Sequence, residues 1–344
     1  MIALSDLAVP IVGAPMAGGP TTDALVVAVS RAGGLGVLAT AYRTPAQTAA
    51  SVSAVRAAGV ERFGANVFVP DDHAEHDADL ASLSAYRDLL RTRISGVEPG
   101  VIAPRGRDGY DETLDVLLDA GVPWVSFTFG LPGRDVVDRL HAGDAAVVVT
   151  VTTASDARSA VERGADVVWV QGPEAGGHRS TFDVAAEPPT VPIEDLLADV
   201  RSAVDVPLIA SGGVGDGRDV RRLLDRGAAA VGVGTALLLA DEAGTSEPYR
   251  AALTDPGFDE TVLTRAFSGR VARGLRNRFH DDLGDHAPAR FPEVNTLTAP
   301  LRRAATAVGD PHGISLWAGT GHRGARTGPA AEIVADLWRS AQQG

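Results

Sequence analysis

Residues 146–170 read AVVVTVTTASDARSAVERGADVVWV, and this stretch decides the fold. Every residue from Val147 to Val151 is β-branched, which suits a strand covered on both faces. Ser155 to Arg163 then has helical spacing, and a second apolar run starts at Val167. Gly164 stands between them, where a glycine allows the left-handed turn that closes a helix and sends the chain back to the sheet. The stretch is one strand–helix–strand unit.

The same unit recurs along the chain. Strands are predicted at Ile11 to Ala14, Leu35 to Ala39, Phe63 to Phe68, Trp124 to Phe127, Ala146 to Val151, Val167 to Val170, Leu208 to Ala210 and Ala229 to Val233. Helices are predicted at Thr22 to Ala32, Pro45 to Ala58, Glu112 to Ala120, Gly133 to His141, Ser155 to Arg163, Ile193 to Ala203 and Arg218 to Arg226. Eight such strands favour a closed (β/α)8 TIM barrel, an α/β fold. An open doubly wound sheet fits less well, because the turn after the first strand, Gly13-Ala14-Pro15-Met16-Ala17-Gly18-Gly19, carries a proline and no G-x-G-x-x-G. Asp71 to Gly109 reads as a polar excursion over the barrel mouth with a short helix. Residues 242–312 are rich in Pro, Asp and Arg, give no further strand–helix alternation, and read as a smaller, mainly helical domain. Residues 1–241 form the barrel, and residues 313–344 return to it through a helix near Ala330 to Trp338.

Composition removes several function classes. The 31 basic residues are all arginine, against 44 acidic ones, for a net charge of -13 that repels nucleic acid and anionic membranes. With no lysine, Schiff-base and Walker-type chemistry are excluded. With no cysteine, disulfides, iron–sulfur clusters and zinc–thiolate sites are excluded too, so redox chemistry needs a cofactor. The longest largely apolar stretch, Ala228 to Ala240, is too short to span a bilayer, and no basic leader precedes Pro10; a cytoplasmic location is the expectation.

In a barrel the ligand sits at the carboxyl ends of the strands, with phosphate often held after strands seven and eight. Those strands run into Ser211-Gly212-Gly213-Val214 and Gly232-Val233-Gly234-Thr235, each followed by a helical segment whose amino terminus could add donors. Strand six ends in Gln171-Gly172-Pro173-Glu174-Ala175-Gly176-Gly177-His178-Arg179, where His178 is placed to accept a proton. Asn66 could bond a flavin edge, and Ser126 to Gly130 could supply apolar walls; either could equally be core or turn. Three other patterns read as decoys. Gly319 to Gly324 matches G-x-G-x-x-G without a preceding strand, and His73, Glu75 and His76, like the cluster from His280 to His286, read as solvated surface rather than metal sites.

Taken together, PIVGAPMAGG and SRAGGLG (within Pro10 to Gly36), FGANVF (Phe63 to Phe68), SFTFG (Ser126 to Gly130), QGPEAGGHR (Gln171 to Arg179), AFSGRVARGLRNRF (Ala266 to Phe279) and LWAGTGHRGARTGPAAEIV (Leu316 to Val334) resemble the class I nitronate monooxygenases, formerly called 2-nitropropane dioxygenases. The resemblance implies FMN as cofactor, bound by Met16, Asn66, Gln171, Gly176, Gly213, Gly232, Val233, Gly234 and Thr235, with His178 catalytic and no metal. It also implies oxidation of an alkyl nitronate by O2 to a carbonyl compound and nitrite, without a nicotinamide. Two departures, Ser180 for the family's usual glycine and Thr320 for its usual glutamine, are expected on the substrate side of the pocket. The alternatives are an FMN-dependent enoyl-acyl-carrier-protein reductase and a flavin-binding protein without turnover.

Overall fold

The computed structural model describes residues 2–71, 80–102 and 109–343. In chain order the strands are β1 (Ile11–Gly13), β2 (Leu35–Ala39), β3 (Gly64–Phe68), β4 (Trp124–Thr128), β5 (Ala146–Val151), β6 (Val167–Gln171), β7 (Gly177–His178), β8 (Leu208–Ser211), β9 (Ala230–Val233), β10 (Thr261–Thr264) and β11 (Ala272–Leu275). The helices are α1 (Asp23–Arg31), α2 (Pro45–Ala57), α3 (Leu80–Arg93), α4 (Tyr110–Asp119), α5 (Arg134–Ala142), α6 (Ala154–Arg163), α7 (Ile193–Ala203), α8 (Gly217–Asp225), α9 (Glu247–Thr254), α10 (Arg278–Leu283), α11 (Glu293–Ala307) and α12 (Ala330–Gln343). Strands β1 to β6, β8 and β9 pair in parallel and close into the predicted barrel. Closure is made by β1 against β9, with Val12 opposite Gly232 and Gly13 opposite Val233.

The strand period of two sorts the side chains into layers. Val12, Leu35, Val37, Trp124, Ala146, Val148, Val167, Trp169, Ile209 and Ala230 fill the barrel interior, and Ile2 and Leu4 join the same cluster. The alternate residues, such as Val147, Val149, Val151, Val168, Val170, Val231 and Val233, pack outward against the helices. Both faces are therefore apolar, which explains why these strands read as continuous hydrophobic runs.

Among the described residues eight helices lie between the first and last barrel strands, α3 and α4 both falling between β3 and β4, and α12 packs between α8 and α1. Ile333, Val334, Leu337 and Ala341 lie in the core shared with α1 and α8. The approach is close: a Cβ at Gly217 would come within 2.4 Å of the Ser340 side chain and 2.6 Å of the α12 backbone.

Helices predominate between β9 and α12, but this segment also contributes a hairpin that the sequence pattern did not reveal. β10 and β11 pair antiparallel, and β11 takes Gly177–His178 as a third strand. The Ala-Arg-Gly-Leu of β11 lacks alternating apolar residues, so its strand state comes from its partners. The excursion after β3 contains α3, whose Leu83, Tyr86 and Leu90 pack against Phe267, Phe279, Val294, Leu297 and Leu301. His73, Glu75 and His76 lie outside the described residues. Among the described residues no helix is long and apolar enough to cross a membrane.

Candidate active site

At the carboxyl ends of the strands the inward positions turn polar. Asn66, Thr128, Thr150, Gln171 and Ser211 continue the interior rows begun by apolar residues below them, and they line a cavity of about 750 Å³. That volume lies within the ~300–1,000 Å³ typical of small-molecule sites. Met16, Gly176, His178, Gly213, Gly232, Gly234 and Thr235 line the same cavity, so the structure brings together every site residue expected from sequence except one. The exception is Val233, whose outward register sends its side chain into the core between barrel and helices. Arg179, beside His178 in sequence, is fully buried and does not reach the cavity either.

His178 is held by the third strand of the small sheet. Its backbone pairs with Ala272, and Arg179 N–H donates to Val271 O at 2.8 Å. Its Nε2 lies 2.9 Å from Ser268 Oγ. The Ser268 hydroxyl can donate to Arg270 O at 3.2 Å; with that bond made, Nε2 carries the imidazole proton and Nδ1 keeps the lone pair. Phe129, Phe291 and Trp317 surround the ring at centroid distances of 5.8, 5.7 and 5.4 Å. Burial, followed by the charges of Arg270 and Arg302, pushes the imidazole pKa from 6.5 down to about 3. His178 is therefore neutral throughout the physiological range.

Gln171 and Ser180 brace this loop from below. The Gln171 amide donates through Nε2 to His178 O at 2.8 Å and accepts from Ser180 N–H at 2.9 Å. Ser180 is fully buried; its hydroxyl donates to Thr150 O at 3.1 Å and accepts from Phe129 N–H at 3.4 Å. The hydroxyl and backbone of Ser180 thus join the ends of β4, β5 and β6, and the residue lies off the cavity lining. Phe129 adopts φ +78°, a strained conformation for a bulky residue, and Arg270 stacks over its ring at 4.0 Å. Asn66 donates to Ser126 Oγ and Thr128 Oγ1, both at 2.9 Å.

The two glycine loops present donors as expected, but not through helix ends. The first turn of α8 is sealed by its own carboxylates: Asp216 accepts from Arg218 and Asp219 N–H, while Asp219 accepts from Gly215 and Asp216 N–H. β9 leads only into a single 3-10 turn, Thr235–Leu237. What remains are the backbone N–H groups of Gly213, Val214, Gly234 and Thr235, which donate to no protein acceptor among the described residues. Gly213 has φ +70°, and a Cβ there would press on Glu174 Cβ at 3.2 Å. A bare, donor-lined cradle of this kind fits a phosphate, and the cavity beside it has room for a flat ring. Behind this cradle the decoy glycines find a use: a Cβ at Gly324 would come within 2.1 Å of Gly215 O, so the segment serves close backbone packing. Thr320 also lies there, its Oγ1 3.4 Å from the Cβ position of Gly213, beside the glycine loop that follows β8.

Sequence reading missed the wall contributed by the segment between β9 and α12. Asn295, Ala299, Arg302 and Thr306 line the cavity at helical spacing along α11, together with Tyr42, Arg303 and Trp317. Among the described residues none of the lining is Asp or Glu, so in a strongly acidic chain the described cavity wall carries arginine as its permanently charged group. Helical spacing on α11 was the available signal, but nothing local distinguishes a cavity-facing arginine from a solvated one. Among the described residues no cluster of His, Cys, Asp and Glu could hold a metal ion.

Comparison with known proteins agrees with this geometry. The nitronate monooxygenase family pattern matches residues 2–340. A probable nitronate monooxygenase of Staphylococcus aureus strain Newman is 34% identical over 331 residues, covering 95% of this chain and 93% of that protein. The structure of nitroalkane oxidase from Streptomyces ansochromogenes superposes with a TM-score of 0.93 at 42% identity, covering 98% of this chain and 97% of that one. FabK from Thermotoga maritima, at 24% identity and a TM-score of 0.75 over 99% of this chain and 95% of that one, shares the fold. With barrel, cavity and near full-length similarity in agreement, the chain belongs to the nitronate monooxygenase family.

Proposed function

We propose that the protein binds FMN in the cavity and oxidises alkyl nitronates with O2 to carbonyl compounds and nitrite. The observation that carries this reading is His178 facing a cavity lined by arginines and, among the described residues, no carboxylate, next to a cradle of free backbone donors. FMN, when bound, supplies the redox chemistry, taking electrons from the substrate and delivering them to oxygen. Gly213, Val214, Gly234 and Thr235 hold its phosphate through backbone N–H groups. Met16, Asn66, Gln171, Gly176 and Gly232, which line the cavity, would border its ring.

The protein's own contribution is electrostatic and steric. The arginine field favours an anionic substrate, and the rings of Phe129 and Trp317 exclude water from the reacting carbon. When a neutral nitroalkane is offered, the His178 imidazole takes the proton from its α-carbon, and the C–H electron pair passes into the nitro group. An imidazole of such low basicity needs help. The nitronate forming beside it supplies that help by offsetting the charges of Arg270 and Arg302 as the imidazolium appears.

Anaerobic mixing of the yellow protein with a nitronate and, separately, with NADH tests the proposal. Bleaching by nitronate alone is expected. Bleaching by NADH marks an enoyl-reductase-like enzyme, and bleaching by neither marks a binding protein. Denaturation is expected to release FMN; recovery of FAD would refute the single-phosphate cradle.

A further inference from the structure

Arg302 sits on α11 with its guanidinium held from behind. Nε donates to Thr298 Oγ1 at 3.2 Å, and Nη2 donates to Asn295 O at 3.1 Å and to Asn295 Oδ1 at 2.7 Å. Nη1 has no protein acceptor, and no carboxylate lies within ion-pair distance of Arg302 among the described residues. Asn295 and Arg302 both line the cavity that contains His178. Burial depresses the arginine's own pKa, the mark of a charge without a matched partner. A half-buried guanidinium in this state is costly unless something else brings a counter-charge. With Nε and Nη2 engaged and the plane fixed, the Nη1 N–H groups stay free to donate to an oxygen of a small oxyanion.

We infer that Arg302 is the anion-recognition residue of this cavity, its free Nη1 N–H groups donating to a planar oxyanion. On the proposed function, from which this inference takes its substrate, that anion is the nitronate or the nitrite formed from it. Arg302 then selects the deprotonated substrate over the neutral nitroalkane. It is not the proton acceptor.

The test uses flavin-loaded protein at constant ionic strength, with inorganic nitrate as an unreactive planar oxyanion and inorganic nitrite in a parallel titration. Binding is read from the perturbation of flavin absorbance. Arg302→Met is expected to raise both dissociation constants about 10- to 100-fold, the usual worth of a charged hydrogen bond, and to raise KM for a nitronate similarly. KM for the neutral form of the same compound should change little, and Arg302→Lys should recover part of the loss on the nitronate. An unchanged nitrate affinity in Arg302→Met, or equal losses on nitronate and neutral nitroalkane, would overturn the inference and leave Arg302 as a brace for α11. Should Arg302→Met lose its flavin or fail to fold, nitrate-soaked crystals of the unaltered protein decide. Nitrate within hydrogen-bond reach of Nη1 supports the assignment, and nitrate bound only elsewhere overturns it. Failure of the proposed function looks different: nitrate binding that depends on Arg302 in a protein bleached by NADH and not by nitronate would leave the anion site standing and remove the nitronate.

Discussion

At His178, burial and two nearby arginines act in the same direction, and the consequence is visible in stability as well as catalysis. The folded pKa, near 3, lies below the ordinary 6.5, so at acid pH the unfolded chain binds the extra proton. This contribution to stability is complete above about pH 6.5 and is lost as pH falls toward 3. His178→Asn removes it, so melting curves should show the variant gaining on the wild type through that window; parallel profiles would mean that the ring titrates freely. In catalysis the same substitution should cut turnover of neutral nitroalkanes by about two to four orders of magnitude, with FMN retained and a preformed nitronate affected much less. Nitrite release from one compound supplied in both forms measures this, and equal losses would move His178 from proton transfer to binding. Ser180 gives a second residue-scale prediction. Ser180→Ala leaves Thr150 O and Phe129 N–H without their partner in a fully buried place, so urea unfolding should show a loss of about 1–3 kcal/mol.

Among the elements, α8 and the turn after β9 share the work differently from what glycine-rich loops followed by helical segments suggest. The amino terminus of α8 is occupied by its capping box, so the cradle consists of loop N–H groups. Two substitutions separate these roles. Asp216→Ala should cost about 1 kcal/mol of stability as a lost cap and leave the FMN content unchanged. Gly234→Asp should abolish most FMN binding while the protein remains folded. Its φ of -114° accepts a side chain and its Cβ position has 3.4 Å to Ala14, leaving repulsion of the phosphate as the main effect. Flavin absorbance per protein after desalting checks both. Loss of FMN from Asp216→Ala would return the helix end to the site.

For the whole molecule, the barrel is completed by a helix that the chain reaches only after building the smaller segment over the mouth. α12 closes the ring between α8 and α1, and Ile333 is 2% exposed there. Ile333→Ala should therefore destabilise the protein by about 2–5 kcal/mol, as for other large-to-small core changes. Urea denaturation followed by flavin release measures it; a loss under 1 kcal/mol would mean that α12 is an accessory to the barrel rather than part of it. The same segment carries Arg302 and Trp317 to the cavity and Ser268 to His178, so the smaller segment and the barrel meet in one site.

Much of this architecture was legible in the chain because it is written in short-range patterns. A strand covered on both faces shows as a run of β-branched residues, a helix as a period, and a turn that needs bare backbone as glycine; eight repetitions of these amount to a barrel. The residue layers follow from the same period, and so does the position of His178 at a strand end. The contacts that define its chemistry are of another kind. His178 meets Ser268 across 90 residues, β7 exists only because β11 lies beside it, and the Arg302 edge faces the cavity only because α11 lies across the mouth. Periodicity constrains neighbours along the chain, whereas these relations arise from how separate elements pack, so the tertiary structure alone decided them.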